Sequence, residues 1–194
     1  KEKKIIAVGC YVGRYRDSLP EKYPEIDLWL GVNDYHKIVE AVEGKPFLKS
    51  ENCFLYDHTF PRLIQTPPSW AYVKISEGGS HQCSFCAIPL IKGPYRSRSI
   101  PSILKEAEEL CSRGVKEINL ISQDTTYFGR DQGLEDGLTV LLRELLTIQK
   151  IEWIRILYGY PEEISGSLLE IMQEEKICSY LDIPFQHSHP EIIK

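Results

Sequence analysis

Tyr72-Val73-Lys74-Ile75-Ser76-Glu77-Gly78-Gly79-Ser80-His81-Gln82-Cys83-Ser84-Phe85-Cys86 carries a short β-type run straight into two glycines and a Cys-x-x-Cys pair. Downstream of this stretch the chain has a regular beat. Pro101 to Arg113 reads as a helix, with Ser99 placed to cap it, Pro101 tolerated in its first turn and Gly114 as the stop. Val115 to Ser122 reads as a strand, and Gly137 to Gln149 as a helix with Leu138, Leu141, Leu142 and Leu145 on one side. Glu152 to Tyr158 is a third strand, Ile164 to Glu175 a third helix, and Tyr180 to Ile183 a fourth strand. Strands alternating with helices imply right-handed parallel β-α units. Four strands fall short of a closed eight-stranded barrel, which takes about 250 residues. The expected fold is therefore α/β, an open or partial barrel. Loops at the carboxyl ends of its strands are where such folds place their chemistry, and the cysteine pair comes directly after the first of them.

Upstream, Lys4 to Cys10 is another β-type run, ending in a glycine and a thiol. Leu19 to Leu30 carries apolar residues broken by Pro20 and Pro24, and Asp34 to Val42 has helical spacing (Ile38, Val39, Val42) closed by Gly44. This reads as the last part of an α/β unit. Residues 45 to 69 hold Pro46, Pro61, Pro67 and Pro68 with little periodicity, as a linker does. The predicted organisation is thus 1–44, a linker 45–69, and a barrel segment 70–194.

Of the 194 residues, 42% are hydrophobic and 26% charged, the composition of a globular protein. A net charge of -5 argues against a dedicated nucleic-acid binder, which would be basic. No apolar run is long enough to span a bilayer, and a cytoplasmic location is expected. Six cysteines in such a chain point to reduced thiols or metal ligands rather than a disulfide framework. Cys111 and Cys178 sit among apolar residues at helix-like positions and read as small buried hydrophobes, whereas Cys53 has no assignable partner.

Two thiolates separated by two residues can reach one metal ion or one iron–sulfur cluster. The spacing alone leaves zinc, iron–sulfur, redox and unligated readings open. A zinc ribbon needs a second pair, which this sequence lacks, and a thioredoxin-like site would set the pair at a helix start. Here the chain is expected to run on through Ala87-Ile88-Pro89 as a loop.

The surrounding phrases resemble the radical S-adenosylmethionine methylthiotransferases. Tyr72 to Gly78, then Cys83-Ser84-Phe85-Cys86-Ala87-Ile88-Pro89, then Lys92-Gly93-x-x-Arg96-Ser97-Arg98 are similar to one long family signature built on Cys-x-x-x-Cys-x-x-Cys. Ile121 to Gly129 (ISQDTTYFG) and Arg155 to Pro161 (RILYGYP) resemble the ribosomal-protein aspartate methylthiotransferases (RimO type) more than the tRNA-modifying relatives (MiaB type). Asp182 to Ser188 (DIPFQHS) matches a phrase common to the group. The resemblance covers essentially the whole chain.

It implies a partial radical S-adenosylmethionine (β/α) barrel preceded by the tail of a flavodoxin-like methylthiotransferase domain. Three thiolates of such a barrel hold a 4Fe-4S cluster whose open iron takes S-adenosylmethionine. Cys83 and Cys86 match two of those ligands, but the first falls on Gly79. His81 is a nearby nitrogen two residues out of place. Cys10 matches one ligand of a second 4Fe-4S cluster. The resemblance also implies methylthiolation of an aspartate β-carbon in ribosomal protein uS12, with sulfur-donor and electron-donor proteins as further partners. Phe85 could cover the adenine, and Gln123 and Arg155 could bond the ribose or carboxylate of the cofactor. Gln186 or His187 could line the site, and Lys92, Arg96 and Arg98 could receive a carboxylate. Each of these also has a structural reading: a core-covering aromatic, polar strand ends satisfying their neighbours, and a solvated basic turn. Glu77, Gly78 and Gly79 are expected to form a flexible turn that lets backbone approach a cofactor. A non-catalytic relic is the rival reading, supported by Gly79 and the missing cysteines, and a simple metal-binding protein using Cys83, Cys86 and His81 is a third.

Overall fold

The computed structural model describes residues 3–45, 54–79, 81 and 83–193. Cys53 lies outside them. In chain order the elements are β1 (Ile6–Gly9), α1 (Cys10–Tyr15), α2 (Leu19–Lys22), β2 (Leu28–Gly31) and α3 (Ile38–Val42). Then come β3 (Trp70–Lys74), β4 (Ser76–Glu77), α4 (Ile88–Lys92), β5 (Arg96–Ser97), α5 (Ile100–Ser112) and β6 (Glu117–Ile121). The chain continues with α6 (Gly137–Leu146), β7 (Trp153–Ile156), α7 (Gly166–Ile171) and α8 (Pro190–Ile193). It divides into two compact units, one of residues 1–55 with 77–96 and one of 56–76 with 97–194.

The second unit is built on the parallel sheet β3-β6-β7. Its register sets Ala71 beside Ile118 and Ile118 beside Ile154, with Val73, Leu120 and Ile156 two residues on. Because successive side chains on a strand point to opposite faces, these six share one face. They are fully or almost fully buried, together with Ile103, Ala107 and Leu110 of α5, Leu138, Leu141, Leu142 and Leu145 of α6, and Leu168 and Ile171 of α7. Both helices α5 and α6 repeat their apolar residues every three or four positions, the spacing that lays one stripe on a sheet. Leu141 has no exposed surface. Leu141→Ala is expected to lower the unfolding free energy of this unit by about 2–5 kcal/mol, the range for a leucine deleted from a packed core. Urea denaturation monitored by circular dichroism would read it, and a loss under about 1 kcal/mol would mean that α6 is not packed as described.

Helix boundaries obey local chemistry. Gly114, at φ +101°, ends α5 where only glycine is at ease. Ser99 stands at the start of α5 in extended backbone, but its hydroxyl makes no capping bond. Ser165 does cap α7, its Oγ accepting the Leu168 N–H at 3.2 Å. At the turn after β6, Gly129 (φ +86°) lies against Gly137: a Cβ on Gly129 would fall 2.9 Å from the Gly137 Cα, and one on Gly137 only 2.2 Å from the Phe128 carbonyl oxygen.

One predicted strand is absent. Residues 180–183 form no strand; the chain beside β7 makes a single parallel bridge, Ile154 with Ile177. The Tyr180 N–H turns back to the Cys178 carbonyl at 2.7 Å, so the ladder loses its next donor. Backbone hydrogen bonding resumes where Gly159 N–H reaches the Asp182 carbonyl at 2.8 Å.

In the first unit, β1 and β2 pair in parallel, Ile6 with Leu28 through Gly9 with Gly31. The apolar stretch broken by prolines therefore holds a short helix and a strand. Pro20 sits in the first turn of α2, where its missing N–H costs nothing.

Candidate cofactor-binding loop

Residues 77–96 leave and return through the paired strands β4 and β5. Glu77, at the outgoing end, has a side chain only 8% exposed, and it is ion-paired with Lys92, 16% exposed. Just past it, Gly78 stands at φ +92°, and a Cβ there would fall 2.2 Å from the Pro94 carbonyl oxygen. The glycine is thus required by the chain's own backbone rather than by a cofactor. Gly79 bridges Pro94 and donates its N–H to Gly93 O at 3.2 Å. The expected flexible turn is a closed neck.

Beyond the neck, Cys86 donates its N–H to the Cys83 carbonyl at 2.9 Å. That turn spans the two half-buried cysteines. Phe85, between them, is 72% exposed. The chain does not run on as a loop: α4 begins at Ile88, two residues after Cys86, because Pro89 fits a helix's first turn. A helix start, not expected from the sequence, is therefore present beside the pair. Ser80 and Gln82 lie outside the described residues, and His81 is half-buried. Cys10, exposed, is the first residue of α1 in the same unit.

The second unit carries the other predicted residues. Ile75 N–H donates to Ile121 O at 3.0 Å, which holds the end of β3 against β6. Gln123 lies just past β6, and its Oε1 is shielded from solvent with no hydrogen-bond partner. A shielded, unsatisfied carbonyl is costly and marks a place where a donor is due. Arg155 stands mid-strand on β7, in register with Asn119. Its Nε donates to Glu117 at 2.9 Å, which holds the guanidinium further into its charged form, and its plane lies 5.6 Å from the Tyr180 ring. These are the contacts of a residue satisfying its neighbours. With Trp70, Tyr72, Glu117, Asn119 and Leu157 it lines a depression of about 270 Å³ on the face of the sheet away from the helices. The Asn119 Oδ1 is also buried without a partner.

Three expectations about basic residues need correction or narrowing. Arg98 is not a solvated turn residue: it is 2% exposed, donates to Glu106 at 2.5 Å, to Lys74 O at 2.7 Å and to Ser102 Oγ at 2.9 Å, and lies 4.7 Å from the Tyr56 ring. Lys92 is taken by Glu77. Arg96 stays exposed. Gln186 and His187 are both exposed, and His187 Nδ1 accepts the His189 N–H at 2.9 Å. Burial pushes the thiols of Cys111 and Cys178 up, toward the inert protonated form. Cys111 is buried as expected, while Cys178 is half-buried. Glu106 is a residue that sequence reasoning missed, yet its signal was there: a carboxylate between Ile103 and Ala107 on the apolar stripe of α5.

Among the described residues no three His, Cys, Asp or Glu side chains converge as a metal site. The cysteine loop offers two thiolates, and position 79 offers none. The donor set therefore does not fit a cluster held by three cysteines.

The family model described as the radical SAM superfamily matches residues 73–194. The chain is 45% identical over 199 residues to a Pelobacter propionicus protein named ribosomal protein uS12 methylthiotransferase RimO, covering 98% of the chain and 44% of that protein. It is 48% identical to the protein of that name from Clostridium novyi and 46% to the one from Thermoanaerobacter, covering 99% of the chain and 45% of each. The chain thus spans less than half the length of these relatives. Among solved structures it is similar to the radical S-adenosylmethionine methyltransferase TsrM from Kitasatospora setae, with cobalamin and a [4Fe-4S] cluster bound in one case and tryptophan substrate and aza-SAM in another. TM-scores are 0.68 and 0.66 at 12% and 13% identity, covering 99% and 98% of the chain and 43% of each neighbour, which is a likeness of fold.

Proposed function

This chain belongs to the radical SAM superfamily, and on that premise we propose that it is a segment of a methylthiotransferase acting on an aspartate β-carbon of ribosomal protein uS12. The observation that carries the reading is identity of 42–48% with proteins of that name along nearly the whole chain. On this reading residues 1–44 are the end of the flavodoxin-like methylthiotransferase domain, 45–69 a linker and 70–194 the first part of the radical barrel. Sulfur-donor and electron-donor proteins would be its partners and the cytoplasm its location. No helix among the described residues is long and apolar enough to cross a membrane.

Cys83 and Cys86 are the proposed ligands of the barrel's 4Fe-4S cluster, one thiolate short of its set, and Cys10 would serve the second cluster. S-adenosylmethionine itself makes separate demands, which this chain's residues can meet: Gln123 would accept a hydrogen bond from a ribose hydroxyl, and the exposed Phe85 ring would cover the adenine. Arg155, on β7, would bond the ribose or carboxylate of the cofactor. Gln123→Leu is expected to weaken S-adenosylmethionine binding about tenfold by calorimetry, the value of one satisfied buried carbonyl. An unchanged affinity would remove Gln123 from the site.

A second reading, a non-catalytic relic, is favoured by Gly79. Formation of 5′-deoxyadenosine from S-adenosylmethionine under strong reductant decides between them. The enzyme reading requires it once position 79 carries a thiol; its absence there, with a cluster bound, would establish the relic.

A further inference from the structure

We propose that Glu77 and Lys92 are positioning residues that lock the cysteine loop into shape with no metal present. The proposal rests on the methylthiotransferase reading only in taking Cys83 and Cys86 as the working groups of the loop.

The pair closes the chain across 15 positions, from the last residue of β4 to the last of α4. Both side chains are largely sheltered, so water and salt screen the attraction far less than at a surface pair. The backbone beside it is poorly equipped to hold itself. Gly78, Gly79 and Gly93 form the neck, and glycine gives up more conformational freedom on ordering than any other residue. α4 is five residues long, well below the length at which a helix persists without tertiary support. Its last residue is Lys92, so one ion pair tethers both the helix and the neck. Between these fixed points lies the turn from Cys83 to Cys86. None of these contacts draws on a side chain at position 79. The neck therefore closes whether or not a third thiolate is present.

Two readings on the reduced chain test this: alkylation rates of individual cysteines, and amide hydrogen exchange by mass spectrometry. In Lys92→Met, alkylation of Cys83 and Cys86 and exchange across 84–93 should accelerate at least about tenfold, the signature of local opening. Alkylation of the buried Cys111 and exchange in β6 should stay unchanged. Lys92→Arg should behave like the parent, and the exchanged pair Glu77→Lys with Lys92→Glu should recover most of the protection. Unchanged rates in Lys92→Met would overturn the proposal. So would an acceleration shared equally by Cys111 and β6, or a charge swap no better than the single variant. None of these rates depends on cluster binding, so a failure of Cys83 and Cys86 as iron ligands would appear separately, as missing iron.

Discussion

After anaerobic reconstitution with iron and sulfide, the Gly79→Cys chain is expected to hold about four irons, the complement of one 4Fe-4S cluster, while the chain with Gly79 holds far fewer. The backbone supports the substitution. Gly79 does not have a positive φ, so a side chain there meets no intrinsic strain. A Cβ would fall 3.1 Å from the Ile88 Cγ2 and 3.5 Å from the Pro89 Cδ and Cγ, so the Ile88 branch methyl must give by a few tenths of an ångström. The neighbouring Gly78 offers the contrast: its Cβ would strike the Pro94 carbonyl, and no side-chain motion relieves that. Iron analysis and the electron paramagnetic resonance spectrum of the reduced protein read the outcome. If both chains bind iron equally, another residue supplies the third ligand, and His81→Ala becomes the deciding variant. If neither does, Cys83 and Cys86 are not cluster ligands in this chain.

Arg98→Met is expected to cost about 3–5 kcal/mol of stability, the range for removing one partner of a buried ion pair. The Arg98 side chain is 1% exposed and that of Glu106 7%, and Glu106 also takes Arg62. Arg98 secures the end of β3 twice, through its guanidinium to Lys74 O and through its own N–H to Ile75 O at 2.8 Å. Methionine keeps much of the packed stem and removes the charge together with these guanidinium bonds. Urea denaturation would measure the change, and a loss below about 1 kcal/mol would show that Arg62 alone satisfies Glu106.

How far the sequence could be read depended on the range of the forces involved. The buried stripes of α5 and α6 and the paired strands β3, β6 and β7 were legible because apolar periodicity is local. The fourth strand was not, since its composition suits a strand and only the turn of Tyr180 back to Cys178 breaks it. β2 was hidden by the prolines around it, because its pairing with β1 is a contact across 22 residues. At the site, Cys83 and Cys86 were legible as a pair from spacing alone. That Lys92 and Arg98 were already engaged was not, because basic residues in a short segment look alike until their carboxylates are placed. Glu77 lies 15 positions from its lysine, and Glu106 eight from Arg98.

The crossing of Gly129 over Gly137 has a consequence for how this protein can vary. Every single-nucleotide change away from a glycine codon that yields another amino acid adds at least one carbon, and neither position has space for it. Two simultaneous changes do not help, since each glycine fills the other's gap. Mutational drift can rewrite exposed side chains of the turn such as Glu135, while the path of the backbone through the crossing stays inherited.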